Sequence, residues 1–197
     1  MQLPSEHVPR HVVAIVASLG GIDALRRVLS ALPPDFPAAV LVVQHQQRGR
    51  VSHLAEVLAP CCALPVREAA GGERVEEGRV YLAPPDLHLV ARADGTLALS
   101  AAPREHHSRP SADPLFRSVA RHFGARAVAV VLTGLLGDGS GGVGAVHEAG
   151  GTVLAQDPAT AQAASMPQCS IDSGFVDRVL PLEEIAPALI DLVCAAS

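Results

Sequence analysis

Runs of consecutive aliphatic residues are the feature that most constrains the fold of this chain. They fill much of His11–Ser18, Ala39–His45 and the first half of Arg126–Asp138. A strand with one face in water alternates apolar and polar residues, whereas a strand buried on both faces is apolar throughout. These three runs therefore predict central strands of a parallel sheet that helices cover on both faces.

Segments of helical periodicity alternate with these strands. After Gly20-Gly21, apolar residues recur at three- and four-residue spacing as far as Leu32, and similar helices are predicted from about Ser111 and over Leu182–Cys194. Strands that alternate with helices are typical of βαβ units. We therefore predict an α/β fold with a doubly wound, mainly parallel sheet and flanking helices.

One further segment predicts antiparallel pairing. Asp94-Gly95 separates the apolar runs Leu87–Arg92 and Thr96–Ser100, and Asp-Gly between two such runs is a strong signal for a hairpin turn. We expect this hairpin to form an antiparallel edge of the sheet. No linker, repeat or low-complexity tract interrupts the 197 residues, so residues 1–197 are expected to form a single domain.

Composition and charge argue against several classes of protein. The formal net charge is only −5 and no basic tract is present, which argues against a nucleic-acid partner. No apolar run approaches the roughly 20 residues that cross a bilayer, and the first ten residues lack the layout of a signal peptide. The expected location is therefore the cytoplasm, without membrane insertion.

The residues that commonly bind metals show no matching pattern. The cysteines at positions 61, 62, 169 and 194 have neither the spacing of a disulfide framework nor that of a zinc site, so we expect them to be reduced. The paired histidines of the segment 104–107 lack a companion ligand cluster and are expected to lie in a solvated loop. No metal and no organic cofactor is predicted.

Three polar residues follow the predicted central strands. Ser18, His45 and Asp138 lie at or just beyond three strand ends, and the carboxyl ends of parallel strands meet along one edge of a sheet. They supply the nucleophile, general base and orienting carboxylate of a serine hydrolase. Backbone N–H groups of Leu19 and Leu135 are expected to bind the oxyanion.

Each of these residues also has an ordinary structural interpretation. A serine before Gly-Gly is more often a turn or helix-capping residue, a histidine after an apolar strand is often a hydrogen-bonded core residue, and Asp-Gly is a common turn. Spacing alone does not bring the three side chains into contact. Their joint occurrence at three strand ends favours the hydrolase.

Five segments together resemble a known family. VAIVASLGG, VLVVQH, RPSADPLFRSVA, VAVVLTGLLGDG and VLAQDPATAQAASMP are similar, in the same order, to the catalytic domain of the chemotaxis protein-glutamate methylesterase, CheB. The resemblance implies a Ser18-His45-Asp138 triad, with Leu135 in place of an oxyanion-hole methionine and Met166 lining the cleft. It also implies hydrolysis of glutamate γ-methyl esters on the cytoplasmic region of chemoreceptors and deamidation of selected receptor glutamines.

The chain departs from the family pattern at several positions. Leu19 replaces a threonine, Gln46-Gln47 replaces Met-Pro, and Leu136 replaces a glycine. If that glycine has a positive φ, a leucine there is expected to be strained or to shift the loop that carries Asp138.

Regulation is also expected to differ. Family members commonly carry an N-terminal phospho-receiver domain, whereas the first predicted strand begins about ten residues from the start of this sequence. The expectation is a catalytic domain without a receiver domain, either constitutively active or controlled by a trans-acting partner.

Arg109 and the overall function have alternative interpretations. The Arg109 guanidinium is suited to bind a substrate carboxylate beside the site or to anchor its own loop. A nucleotide-binding module is a second candidate function, although neither G-x-G-x-x-G nor a Walker-type motif is present. A catalytically silent relative that binds receptors or signalling partners is a third.

Overall fold

The chain folds around a seven-stranded sheet in which every neighbouring pair of strands is parallel. The computed structural model describes residues 8–46 and 51–194, so Gln47 and the first seven residues lie outside it. Within these ranges the strands are β1 (His11–Ala17), β2 (Ala38–Gln44), β3 (Val66–Glu68), β4 (Val80–Leu82), β5 (His88–Ala91), β6 (Leu97–Ser100), β7 (Ala127–Val131), β8 (Thr152–Gln156) and β9 (Arg178–Leu180). The strand order in the sheet is β3-β4-β2-β1-β7-β8-β9.

Helices cover both faces of this sheet. They are α1 (Gly21–Ser30), α2 (Leu54–Leu58), α3 (Ala112–Phe123), α4 (Ser140–Glu148), α5 (Ser165–Asp172) and α6 (Leu182–Cys194), with short 3-10 turns at Ala59–Cys61, Gly124–Arg126 and Pro158–Thr160. Alternate residues of β1 belong to two different cores: Val13 and Ile15 pack with α1 and α6, whereas Val12 and Ala14 pack with α3 and α4. Every residue of β1 and β2 is buried, which explains their unbroken apolar sequence and confirms the predicted fold class.

The predicted hairpin forms, but it is not an edge of the main sheet. Strands β5 and β6 pair antiparallel as a separate two-stranded sheet. Leu89, Ala91 and Leu97 share the buried core of α3, and the Ser118 hydroxyl on α3 accepts a hydrogen bond from the Ala91 N–H at 3.0 Å. The hairpin packs its apolar face against a helix, while β3 and β9 are the two edges of the main sheet.

The strand register aligns the ends of the central strands. Ala17 at the end of β1 pairs with Gln44 at the end of β2. The backbone continues this alignment, because the His45 N–H donates to the Ala17 carbonyl at 3.1 Å and the Ser18 N–H donates to the Thr133 carbonyl at 3.0 Å. Ser18 therefore lies between the ends of β2 and β7 at the carboxyl edge of the sheet.

Candidate active site

A tight turn after β1 presents Ser18. The Ser18 carbonyl accepts hydrogen bonds from the Gly21 N–H and from Gln44 Nε2, both at 2.9 Å. Gly20 has a φ of +77°, and a side chain at Gly21 would overlap Gln44 and come within 2.7 Å of the Ala17 Cβ. The Gly-Gly pair is therefore required for the chain to pass from β1 into α1 while Ser18 stays at the strand end.

His45 and Asp138 form a direct pair. His45 Nε2 lies 2.6 Å from Asp138 Oδ2, and the Asp138 side chain is only 1% exposed. His45 follows β2, whereas Asp138 lies in the loop before α4, so the sheet topology brings together residues 93 positions apart. Because Nε2 contacts the carboxylate, Nδ1 is the imidazole nitrogen left for proton exchange at the cavity.

The start of α3 holds the Asp138 carboxylate. Ser111 Oγ donates to Oδ1 at 2.5 Å, and the Ala112 N–H donates to Oδ2 at 2.8 Å. Burial by itself would raise the pKa of Asp138, but hydrogen bonds from His45, Ser111 and the Ala112 N–H outweigh it and hold the pKa below its ordinary value. Asp138 is therefore ionised at neutral pH despite its burial.

Ser111 is a site residue that sequence reasoning did not identify. It precedes α3 at the N-cap position, where a serine usually accepts a hydrogen bond from its own helix, yet here it makes no such bond and donates to Asp138 instead. Ser111 is distant in sequence from Asp138, and no local pattern indicates their contact. The segment RPSADPLF was singled out only through the family resemblance.

Ser18 and His45 line a common cavity of about 610 Å³. Its other walls are the turn after β1, the start of α1 and the Gln162 side chain. Among residues 8–46 and 51–194, no hydrogen bond joins Ser18 Oγ to His45. Such contacts often tighten only when a substrate is bound. Ser18 and His45 thus line one cavity, and no direct hydrogen bond joins their side chains in the described part of the chain.

The predicted oxyanion donors, Leu19 and Leu135, lie in the turn after β1 and in the loop after β7. Neither the Leu19 N–H nor the Leu135 N–H donates to an acceptor in the described part of the chain, so both are available to a ligand. Thr133 Oγ1 donates to the Leu19 carbonyl at 2.9 Å, and Ser18 Cβ would contact a side chain at Gly134. Thr133, which sequence reasoning did not assign, therefore ties the turn after Ser18 to the loop after β7.

Leu136 adopts the backbone conformation that was expected to be strained. Its φ is +66°, in the left-handed region that favours glycine, and its side chain is 62% exposed. The loop thus keeps a conformation suited to glycine in spite of the leucine. Leu136 lies two residues before Asp138, so the strain is stored in the loop that positions the carboxylate.

Arg109 is engaged mainly by its own loop. Its guanidinium contacts Asp86 at 3.1 Å and donates to the carbonyls of Ala101 and Ala102 at 2.8 and 3.0 Å. Arg109 also lines a small cavity of about 90 Å³ together with His45. The structure therefore supports the anchoring role, and contact with a substrate stays a prediction.

Met166 does not line the cavity in this conformation. Its side chain is fully buried, and its Cε and Sδ atoms would lie within 3 Å of a side chain placed at Gly134. Met166 thus packs beneath the loop that abuts Ser18. The expected contact with a substrate would require this side chain to move, so its contribution here is packing.

A second buried carboxylate lies close to the site. Asp113 in the first turn of α3 accepts a hydrogen bond from the Gly142 N–H at 2.6 Å and pairs with His106 at 2.7 Å. Burial and the nearby charge of Asp138 raise the pKa of Asp113. His106, from the paired histidines of the sequence, thus contacts a carboxylate. The described residues include no group of three or more His, Cys, Asp or Glu side chains that could hold a metal ion.

Exposed aliphatic side chains surround the site. Eight large hydrophobic side chains in the described ranges are exposed, and Leu19, Ile22, Val51 and Val57 among them line the main cavity or a neighbouring one of about 290 Å³. Leu135 and Leu136 follow Gly134, whose backbone abuts Ser18. An exposed apolar rim around a polar centre is typical of a surface that binds another macromolecule.

Comparisons with known proteins agree with this geometry. A family model described as CheB methylesterase matches residues 13–189. A protein-glutamate methylesterase/protein-glutamine glutaminase 2 from Anaeromyxobacter dehalogenans is 47% identical over 189 residues, which cover 96% of this chain and 55% of the relative. A protein-glutamate methylesterase/protein-glutamine glutaminase from Moorella thermoacetica is 43% identical over 200 residues, covering 99% of this chain and 47% of the relative.

A solved structure extends the similarity to three dimensions. The crystal structure of the Thermotoga maritima CheB methylesterase catalytic domain has a TM-score of 0.89 and 37% identity, and the match covers 92% of this chain and 98% of that one. The chain spans about half the length of the curated relatives it matches, so the absence of a receiver domain stays a prediction. In the described ranges, no helix has the length and apolar character needed to span a membrane.

Proposed function

Because this chain belongs to the CheB methylesterase family, we propose that it is a protein-glutamate methylesterase acting through Ser18, His45 and Asp138. The observation that carries the proposal is the alignment of Ser18 and His45 at neighbouring strand ends, with His45 hydrogen-bonded to a buried carboxylate. This arrangement supplies a nucleophile, a base and an orienting group at one cavity.

In the first half of the proposed reaction, Ser18 Oγ attacks the γ-carbonyl carbon of a glutamyl methyl ester. His45 Nδ1 takes the hydroxyl proton, and the carbonyl electron pair moves onto oxygen. The N–H groups of Leu19 and Leu135 donate to that oxyanion. The intermediate then collapses, methoxide leaves with the proton from His45 as methanol, and Ser18 is left acylated.

In the second half, water attacks the acyl carbon. His45 Nδ1 takes a proton from the water and returns it to Ser18 Oγ as the ester bond breaks, which releases the free glutamate side chain. A glutamine side chain follows the same steps with ammonia as the leaving group. Deamidation is therefore part of the proposal, in agreement with the glutaminase activity in the names of the relatives.

Asp138 has an electrostatic role in both halves. Its ionised carboxylate accepts a hydrogen bond from Nε2–H of His45, which leaves the Nδ1 lone pair to act as the base. The same carboxylate stabilises the imidazolium that forms during each proton transfer. The reaction needs no metal or organic cofactor.

We further propose that the substrate is the methylated cytoplasmic region of chemoreceptors and that the protein acts in the cytoplasm.

Methanol release tests the proposed activity. A methylated chemoreceptor cytoplasmic fragment is incubated with the wild-type chain or with Ser18→Ala at equal concentration, and methanol is quantified over time. We expect release by the wild type and a loss of at least about 10³-fold in Ser18→Ala. Folded wild-type protein that releases no methanol from any methylated receptor fragment would favour the catalytically silent relative instead.

A further inference from the structure

The cavity beside Ser18 extends along one side of α1. Ile22 and Arg26 both line it, and residues four positions apart lie on the same face of a helix. Four residues of α-helix rise about 6 Å, so this face carries first an aliphatic and then a cationic side chain away from the nucleophile. The wall of the cavity is therefore graded from apolar to positively charged.

Arg26 is distinguished by its lack of an ionic partner. Its neighbour Arg27 contacts Asp23 and Glu183, each at 3.1 Å, so the Asp23 carboxylate in the cavity wall is already paired. Arg26 is exposed and forms no ion pair with any residue in the ranges 8–46 and 51–194. Its guanidinium carries five N–H donors and is thus available to bind an anion at this wall of the cavity.

We propose that Arg26 forms a carboxylate-binding subsite, which selects protein segments with an acidic side chain one or two helical turns from the reactive glutamyl side chain. This inference rests on the proposed function, because the reactive side chain must enter at Ser18. A carboxylate is the complementary group, since a guanidinium pairs with it through two hydrogen bonds. One turn of a substrate helix spans about 5.4 Å, close to the 6 Å between successive positions on the α1 face.

Ile22 adds an apolar contact between the reactive centre and this subsite. It is 45% exposed and lies in the walls of both the 610 Å³ and the 290 Å³ cavity. A substrate helix with an aliphatic face and an acidic flank would cover Ile22 and reach Arg26 at the same time. The occupant we propose is therefore an amphipathic, acidic helix of a protein substrate.

Paired peptides test the subsite. Both carry one glutamyl γ-methyl ester in a helical sequence: the acidic peptide has glutamates four residues before and after the ester, and the neutral peptide has alanines there. We expect the wild type to show a higher kcat/KM for the acidic peptide and Arg26→Glu to lower the acidic-to-neutral ratio by about five- to twentyfold, mainly through KM. Arg26→Lys is expected to keep most of the preference.

Arg121→Glu is the matched control. Arg121 is an exposed arginine on α3 that does not line the cavity, so the same change of charge there is expected to leave the ratio unchanged. Raising the salt concentration should weaken the wild-type preference, because exposed charges are screened. The proposed subsite would be refuted if the acidic-to-neutral ratio of kcat/KM were the same in the wild type and Arg26→Glu. An equal fall of this ratio in Arg121→Glu would refute it as well.

A binding measurement separates this inference from the proposed function. The affinity of Ser18→Ala for fluorescent forms of both peptides is measured by anisotropy, with and without Arg26→Glu. Selective binding that depends on Arg26, without ester cleavage by the wild type, would contradict the proposed function and keep an acidic-helix site. Cleavage of both peptides without selective binding would keep the function and overturn the subsite.

Discussion

Asp138 and Asp113 are both only 1% exposed, yet their pKa values shift in opposite directions. Asp138 accepts hydrogen bonds from His45, Ser111 and the Ala112 N–H, which outweigh the effect of burial. Asp113 is held by the Gly142 N–H and His106, and burial together with the charge of Asp138 dominates there. At equal exposure, the donors around Asp138 and the charge that Asp138 places beside Asp113 decide which carboxylate is ionised more easily.

This difference matches the roles proposed for the two regions. The carboxylate that pairs with the candidate base must stay ionised to orient and charge-stabilise the imidazole. The neighbouring carboxylate instead connects the starts of α3 and α4 with the loop that carries His106. Substitutions around either aspartate therefore test whether the opposite pKa shifts serve catalysis or only the stability of the fold.

Asp138→Asn is expected to have the largest effect. The amide removes the negative charge that orients His45, so kcat for hydrolysis of a methyl ester should fall by about 10³- to 10⁴-fold. Stopped-time assays of methanol release measure this loss, and circular dichroism checks that the variant is folded. A folded variant with more than a tenth of wild-type kcat would contradict the role of Asp138.

Ser111→Ala is expected to have the next largest effect. It removes the 2.5 Å hydrogen bond to Asp138, and a hydrogen bond to a charged group contributes roughly 1.5–3 kcal/mol. We expect kcat/KM to fall by about tenfold and the pKa of Asp138 to rise, because a donor that favours the ionised form is gone. Carboxyl ¹³C shifts followed over pH measure the pKa, and Ser118→Ala, inside the helix that Ser111 precedes, serves as the comparison. An unchanged Asp138 titration would show that Ser111 is dispensable.

Asp113→Asn tests the opposite shift through stability. In the wild type, the pKa of Asp113 is higher in the folded protein than in the unfolded chain, where it is about 4. The contribution of Asp113 to the free energy of unfolding is therefore fully present below about pH 4 and is lost as the pH rises through the folded-state pKa. Asp138 contributes with the opposite sign, and its stabilisation is lost as pH falls from about 4 through its depressed pKa. Urea unfolding between pH 4 and 7 should show that Asp113→Asn removes the decline with rising pH. A parallel pH dependence in both proteins would refute the raised pKa.

Leu136→Gly is expected to have the smallest effect. Relief of the left-handed conformation is offset in part by the greater freedom of glycine in the unfolded chain, so stability should rise by only about 1 kcal/mol. The exposed side chain contributes little burial that would be lost. Thermal unfolding measures this gain, with Leu135→Gly as the matched change in the same loop. A destabilised Leu136→Gly would mean that the leucine side chain has a contact that outweighs the strain.

Much of the fold was predictable because it depends on local patterns. Unbroken apolar runs predicted β1, β2 and β7, and the Asp94-Gly95 turn predicted the hairpin. The packing of the hairpin against α3 was not predictable, because it depends on which apolar surface is still uncovered after the main sheet has formed. Strand β9 was missed, since it has three residues of which two are exposed.

The candidate site, like the fold, was predictable only where it depends on local sequence patterns. Ser18 and His45 directly follow β1 and β2, and a parallel sheet brings those strand ends to one edge. Asp138 was expected at the end of its strand, but β7 ends at Val131 and Asp138 lies in the loop before α4. Their catalytic roles remain predictions. Ser111 and Thr133 escaped notice, since their hydrogen bonds join segments far apart in sequence and leave no periodic signal. The strain at Leu136 was foreseen only because the resemblance indicated a glycine there.

Covalent labelling tests whether Ser18 is an activated nucleophile. The folded protein is treated with a fluorophosphonate, which phosphonylates activated serine hydroxyls with loss of fluoride, and the adduct is mapped by mass spectrometry of proteolytic peptides. We expect one adduct per chain, on Ser18, at a rate that falls sharply in Asp138→Asn. An unlabelled folded protein, or an adduct on another serine such as Ser140 or Ser165, would contradict it.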